Sequence, residues 1–233
     1  TKKILEDLSR TIGNREYDLD LPQLGRRFKG LAVGVQRVLY RCPQCHTLEA
    51  LETVRPPRTN QVECRSCHAL WRVDITSRLT PVDEHGKALG PARTLAEMYR
   101  EIKAVPPQPI RSHLIRLPEG ESLFLASRPY FLHRERRFPG LRFYGFGRAF
   151  LSDRRLLVRG RLKGRGRVLL DAPLEQIDAL SVDPGDKLHF TFNGHLYVTR
   201  LRRESPLKWF DYPEEISRRR RETLAPAAQR LQA

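Results

Sequence analysis

Apolar and polar residues alternate with a period of two over most of this chain, so it reads as mainly β. The run Ala69-Leu70-Trp71-Arg72-Val73-Asp74 shows the pattern plainly. Thr47 to Val54 and Gln61 to Glu63 are further predicted strands, with Pro56 and Pro57 breaking the chain between them. From Arg111 onward nine strands are predicted: His113–Leu117, Ser122–Ala126, Tyr130–Arg134, Phe143–Leu151, Arg154–Arg159, Arg167–Asp171, Ile177–Val182, Leu188–Phe192 and His195–Leu201. Turn signals separate them, namely Pro118-Glu119-Gly120, Pro139-Gly140, Gly160, Asp183-Pro184-Gly185 and Asn193-Gly194. The last is a two-residue hairpin signal, because both turn positions need positive φ.

The period changes in three places. Residues 1–35 read as a helical segment. Thr94-Leu95-Ala96-Glu97 is a capping box, with Leu95, Met98, Tyr99 and Ile102 on one helical face. Pro106, Pro107 and Pro109 stop that helix and mark a boundary. Ser205-Pro206 opens another helix, as N-cap and first helical position, and its Trp209 and Phe210 would cover an open end of the sheets. The predicted layout is a helical segment over 1–35, a ribbon over 36–76, a helical connector over 77–110, a β domain over 111–212 and a basic helical tail over 213–233. The fold class is mainly β with some α: a four-cysteine ribbon, then a β-sandwich or barrel capped by a C-terminal helix.

Four cysteines sharpen the ribbon. Cys42, Cys45, Cys64 and Cys67 form CxxC, eighteen residues, CxxC. That spacing suits a four-thiolate zinc site, since each CxxC turn brings two sulfurs to one side of a knuckle. Four thiolates fill the tetrahedron, so the predicted zinc is structural. His46 and His68 follow the two pairs, and Cys-x-x-Cys-His also reads as c-type haem attachment. Two haems would need an export signal, further axial ligands and more room than the twenty-two residues from Cys42 to Cys64. Knuckles often carry Gly where His46 and His68 stand, because the turn takes positive φ there.

The 233 residues are enough to bury a core, and 39% apolar with 30% charged residues is a globular composition. No run approaches the roughly 20 apolar residues of a membrane span, and no signal peptide is visible. The start at Thr1 points to a fragment or a trimmed chain. Net charge is +16, and residues 111–211 carry +9 of it. Between Arg128 and Arg167 thirteen basic residues meet two acidic ones, Glu135 and Asp153. Such a surface attracts phosphates, on anionic lipid or on nucleic acid. The candidate phosphate-facing residues are Arg142, Arg148, Arg154, Arg155, Arg159, Arg161, Lys163, Arg165 and Arg167. Arg159 to Arg167, spaced by glycines, reads as a flexible basic loop. Phe143, Tyr144 and Phe146 show no arrangement as an exposed stacking platform. Arg218 to Arg221 reads as a solvated helix end.

Catalytic signatures are missing. There is no phosphate-binding loop and no nucleophile elbow. Gly145-Phe146-Gly147 lacks a third glycine, and reads as a close-packed strand or bulge. Glu214/Glu215 and Asp83/Glu84 lie in exposed stretches, and His189 and His195 read as ordinary surface or packing residues.

Two resemblances follow from quoted residues. Gly147-Arg148-Ala149-Phe150-Leu151-Ser152-Asp153-Arg154-Arg155-Leu156-Leu157-Val158 resembles a hairpin of bacterial GRAM and pleckstrin-homology-like domains, and Pro173-Leu174-Glu175-Gln176-Ile177 resembles their next strand entry. This implies two bent sheets closed by a helix, used for membrane surfaces or protein docking. Arg27-Phe28-Lys29-Gly30-Leu31, Val38-Leu39-Tyr40-Arg41-Cys42-Pro43-Gln44-Cys45, the second CxxC and the helix near Leu95 resemble the region after the catalytic domain of bacterial 1-acyl-glycerol-3-phosphate acyltransferases. That likeness covers roughly residues 1–105. The enzymes' His-x-x-x-x-Asp pair is absent, as none of histidines 46, 68, 85, 113, 133, 189 and 195 has Asp five residues on. The resemblance therefore implies the non-catalytic C-terminal part of a longer enzyme, cytoplasmic and peripheral to the inner face of the membrane. Its partners would be anionic lipids or an acyltransferase domain. A stand-alone nucleic-acid-binding zinc-ribbon protein is the alternative.

Overall fold

The computed structural model describes residues 30–55, 60–135, 140–162, 165–183, 186–201 and 204–230, without side chains at 162–169 and 223–230. The predicted helix over 1–35 lies almost wholly outside the described residues; within them a short helix, α1, covers Val35–Val38.

The ribbon is a five-stranded antiparallel meander of β1 (Leu51–Thr53), β2 (Gln61–Cys64), β3 (Leu70–Val73), β4 (Arg78–Val82) and β5 (Arg93–Thr94), paired in that order. Val62, Trp71, Val73 and Leu79 fill one face, as the alternation requires. Predicted strand Thr47–Val54 shortens to β1 because His46 and Glu49 take φ of 57° and 54° and turn the chain. Helix α2 (Leu95–Ala104) starts on the predicted capping box: Glu97 N–H donates to Thr94 Oγ1 at 3.2 Å, and Thr94 N–H to Glu97 Oε2 at 2.8 Å. Its Met98 and Ile102 are buried.

The second sheet comprises β6 (Leu123–Ala126), β7 (Tyr130–Glu135), β8 (Leu141–Ser152), β9 (Arg155–Leu162), β10 (Arg165–Pro173), β11 (Ile177–Asp183), β12 (Lys187–Phe192) and β13 (His195–Arg200). The strand order is β10-β9-β8-β7-β13-β12-β11, with β6 continuing the edge of β8 beside β7. Four strands run out to one side of the β7–β13 junction and three to the other. Helix α3 (Pro206–Arg230) packs on β11 and β12, burying Trp209, Tyr212 and Ile216. This is the bent, helix-closed pleckstrin-homology-like plan. Ser205 caps α3, accepting from the Leu207 N–H at 3.2 Å. The helix runs unbroken past residue 213. Asn193 and Gly194 make the predicted hairpin turn with φ of 50° and 67°.

Three sequence expectations fail. The stretch 77–110, predicted as a helical connector, begins with β4 and β5, which pair onto the ribbon sheet, and only Leu95–Ala104 is helix. His113–Leu117 is no strand. Pro109 and Pro118 flank it and cannot donate to a ladder. The segment lies instead as a strap, with Ile115 packed on Leu123, Phe150 and Leu157. The glycine-spaced stretch is not loop throughout either: Arg159–Leu162 belongs to β9 and Arg165–Arg167 to β10, with Gly166 opposite Arg161 and Arg167 opposite Gly160. Lys163 and Gly164 lie outside the described residues.

Candidate functional site

The four cysteines converge at the ribbon's tip. Their Sγ atoms all lie within 4.8 Å of one another, with Cys42–Cys67 and Cys45–Cys64 both at 3.7 Å. Cys42 and Cys64 are buried, Cys45 and Cys67 half-buried. Two similar turns place them. His46 N–H donates to Cys42 O at 2.9 Å, and His68 N–H to Cys64 O at 2.8 Å. These turns carry φ of 57° at His46 and 58° at His68, the conformation for which glycine is commoner. Backbone N–H groups aim at sulfur: Gln44 and Cys45 at Cys42 Sγ, and Ser66 at Cys64 Sγ, each at 3.4 Å. Such donors favour the thiolate form.

Burial pushes the Cys42 thiol up. It also pushes on Cys45, but hydrogen bonding with the Thr47 hydroxyl and backbone and with neighbouring sulfurs outweighs it and brings that thiol down to about 6. A metal with bonds to sulfur of about 2.3 Å, centred in a tetrahedron, needs sulfur–sulfur edges near 3.8 Å. The pairs at 3.7 Å meet that requirement, so the four thiolates could hold a thiophilic ion.

The knuckle is tied to the β domain. Lys208 Nζ on α3 sits between Glu49 (3.1 Å) and Glu204 (2.6 Å), with its side chain only 6% exposed. Ser205 N–H donates to Glu49 Oε1 at 3.1 Å. Burial would lower the Lys208 ammonium, but the Glu204 and Glu49 carboxylates prevail and hold it above its ordinary value. Nearby, Asp211 accepts from Tyr99 Oη at 2.7 Å and from Lys103 Nζ at 3.2 Å. Tyr40 packs edge-on against Tyr99 and Tyr212.

The basic residues divide by position. Arg148 and Arg159 face each other across β8–β9, and Arg161 faces Phe146. Arg159 and Arg161 are exposed and Arg148 half-buried, with Nη1 of Arg148 donating to Ser127 O at 3.2 Å. Arg142 is exposed at the start of β8, opposite Arg134. Arg165 and Arg167 continue the ladder on β10. At the far end of the strands, Arg154 is exposed beside Gly120 O. Arg155 is engaged by Glu121 (3.0 Å) and Asp171 (3.1 Å).

Beside these arginines lies a feature the sequence reading missed. Phe131, Phe143 and Phe146 are 57%, 46% and 42% exposed and touch one another, with Phe131 centroids 6.0 Å from Phe143 and 5.0 Å from Phe146. His133 meets Phe143 at 6.1 Å. Tyr144 differs: it is half-buried, edge-on to Tyr197, with the Arg134 guanidinium over its ring. A register shift between Leu132 and His133 brings Phe143 onto the side of Phe146. Strand parity puts Phe146 on the face of Arg148, a signal available in the sequence; the register shift is not.

No family model and no curated protein matches this chain. Among solved structures it is similar to a Vps36 N-terminal PH domain, at 17% identity over 43% of this chain and 82% of that one, with a TM-score of 0.34. The strand order, rather than this likeness, defines the fold.

Proposed function

We propose that the chain is a non-catalytic docking module: a zinc-stapled ribbon holding a pleckstrin-homology-like domain whose basic sheet face meets an anionic membrane surface. Zinc at Cys42, Cys45, Cys64 and Cys67 is structural in this reading, since four thiolates leave no open position. The observation that carries the docking role is the Arg148–Arg159 pair on an open face, with Arg161 beside it. Like charges directly opposite on a sheet repel. An incoming phosphate relieves that repulsion by supplying an anion between the two guanidinium groups. Each basic side chain near an anionic leaflet contributes about 1 kcal/mol.

The finer reading makes this module the C-terminal region of a bacterial glycerophospholipid acyltransferase, holding its enzyme at the cytoplasmic face of the membrane or contacting its catalytic domain. Its support is the order of the Arg27–Leu31 and Val38–Cys45 motifs, the second CxxC and α2. The test is co-sedimentation of the 233-residue chain with neutral phosphatidylcholine vesicles and with vesicles that also contain phosphatidylglycerol. Anionic vesicles should be preferred, and replacing Arg148, Arg159 and Arg161 together by Gln should abolish the preference. Equal binding to both vesicles would sink the proposal. A steep salt dependence on single-stranded nucleic acid, with no vesicle binding, would instead favour the zinc-ribbon nucleic-acid reading.

A further inference from the structure

We propose that Phe131, Phe143 and Phe146 are the apolar half of this contact, a cluster that enters the headgroup–acyl boundary of an anionic bilayer while the neighbouring arginines hold lipid phosphates. The inference rests on the docking reading above and adds the residues that would touch lipid.

The fold leaves this patch open. Farther along the same strands the strap covers the sheet: Leu123, Phe150 and Leu157 are buried against its Ile115. The strap stops short of Phe131, Phe143 and Phe146, where Phe131 packs on the other two rings and, among the described residues, nothing lies over them. A cleft of about 370 Å³ deepens the patch, with Phe131, Phe146 and Leu201 in its walls and Arg128, Arg200 and the Glu204 carboxylate also lining it; Arg200 is held by Asp186 at 2.7 Å, so the cations open to a ligand are those of β8 and β9. An apolar surface beside a cationic one is the combination that binds a membrane interface, since each part alone holds weakly. Charge complementarity selects the occupant. Arg161 adjoins Phe146 across the ladder, the Arg148–Arg159 pair follows, and the exposed carboxylate of Glu135 lies at the end of β7.

Ring geometry favours lipid over bases. Phe131 meets Phe143 at 64° and Phe146 at 50°, so the rings close against one another. Base stacking uses open ring faces, whereas a bilayer boundary accepts any apolar surface next to cations.

The test uses the full chain, phosphatidylcholine vesicles with and without phosphatidylglycerol, and a single-stranded thymidine oligonucleotide. The double substitution Phe131→Ser/Phe146→Ser should weaken binding to anionic vesicles at least roughly tenfold, with the salt dependence kept. Both positions are exposed, so the melting temperature should hold. A Phe146→Trp variant should gain fluorescence that bromine-labelled lipid quenches; native Trp71 and Trp209 are 6% and 2% exposed and lie beyond its reach. Wild-type affinity in the serine variant, or no quenching, would overturn this inference and leave arginine docking standing. Failure of the unaltered chain to prefer anionic vesicles would bring down the docking reading itself. Oligonucleotide binding lost in the serine variant, with vesicle binding unchanged, would reassign the patch to nucleic acid.

Discussion

At Gly147 a methyl group has nowhere to go. A Cβ there would stand 2.2 Å from the carbonyl oxygen of Arg159, and one at Gly160 would stand 2.1 Å from that of Phe146. The two glycines face each other across β8–β9, so the close approach is between backbones, which cannot rotate aside. Gly147→Ala should cost about 3 kcal/mol, at the upper end for overpacking, read as a lowered midpoint in urea. A variant as stable as the parent would show that the strands separate there without penalty. The sequence marked Gly145-Phe146-Gly147 as a tight strand or bulge, but which atoms crowd it depends on the register of β8 against β9, set at the Asp153–Arg154 turn. His46 and His68 were more legible. Each follows a CxxC, where the turn geometry is local, and each takes the positive φ expected of that position.

Elements were readable in proportion to how local their causes are. The capping box placed α2, Ser205-Pro206 placed α3, and Asn193-Gly194 placed the β12–β13 hairpin. His113–Leu117 had suitable alternation but no neighbouring strand, and pairing is not a property of one segment. The stretch from Arg159 has turn-like glycines, yet ladders hold Arg159–Leu162 and Arg165–Arg167 extended. The seating of α3 was invisible in sequence, because Glu49 and Lys208 are far apart along the chain. Lys208→Met tests it. The substitution keeps the side-chain volume but leaves Glu49 and Glu204 without their shared cation in a buried site. Removing one partner of such a group costs about 3–5 kcal/mol, measurable by chemical denaturation. A neutral effect would mean that apolar packing alone seats the helix.

Across the whole molecule, the four-cysteine tip and the capping helix were legible because each rests on short-range pattern. The exposed phenylalanines were not. Their exposure depends on where the strap ends and on the register shift in β7–β8, both products of the assembled sheet. The salt bridge of Lys208 to Glu49 has a thermodynamic consequence. Glu49 follows directly on the first knuckle, and Lys208 belongs to the helix that closes the β domain. A metal that binds only the folded state stabilises everything that unfolds with its site. Zinc held by the ribbon should therefore raise the melting point of the distant sheet. The zinc-loaded chain should melt in a single calorimetric transition, and a chelator should move that transition down by at least about 10 °C. Two separate transitions, with only one shifted by the chelator, would show the ribbon and the β domain to be independent folding units that happen to share a chain.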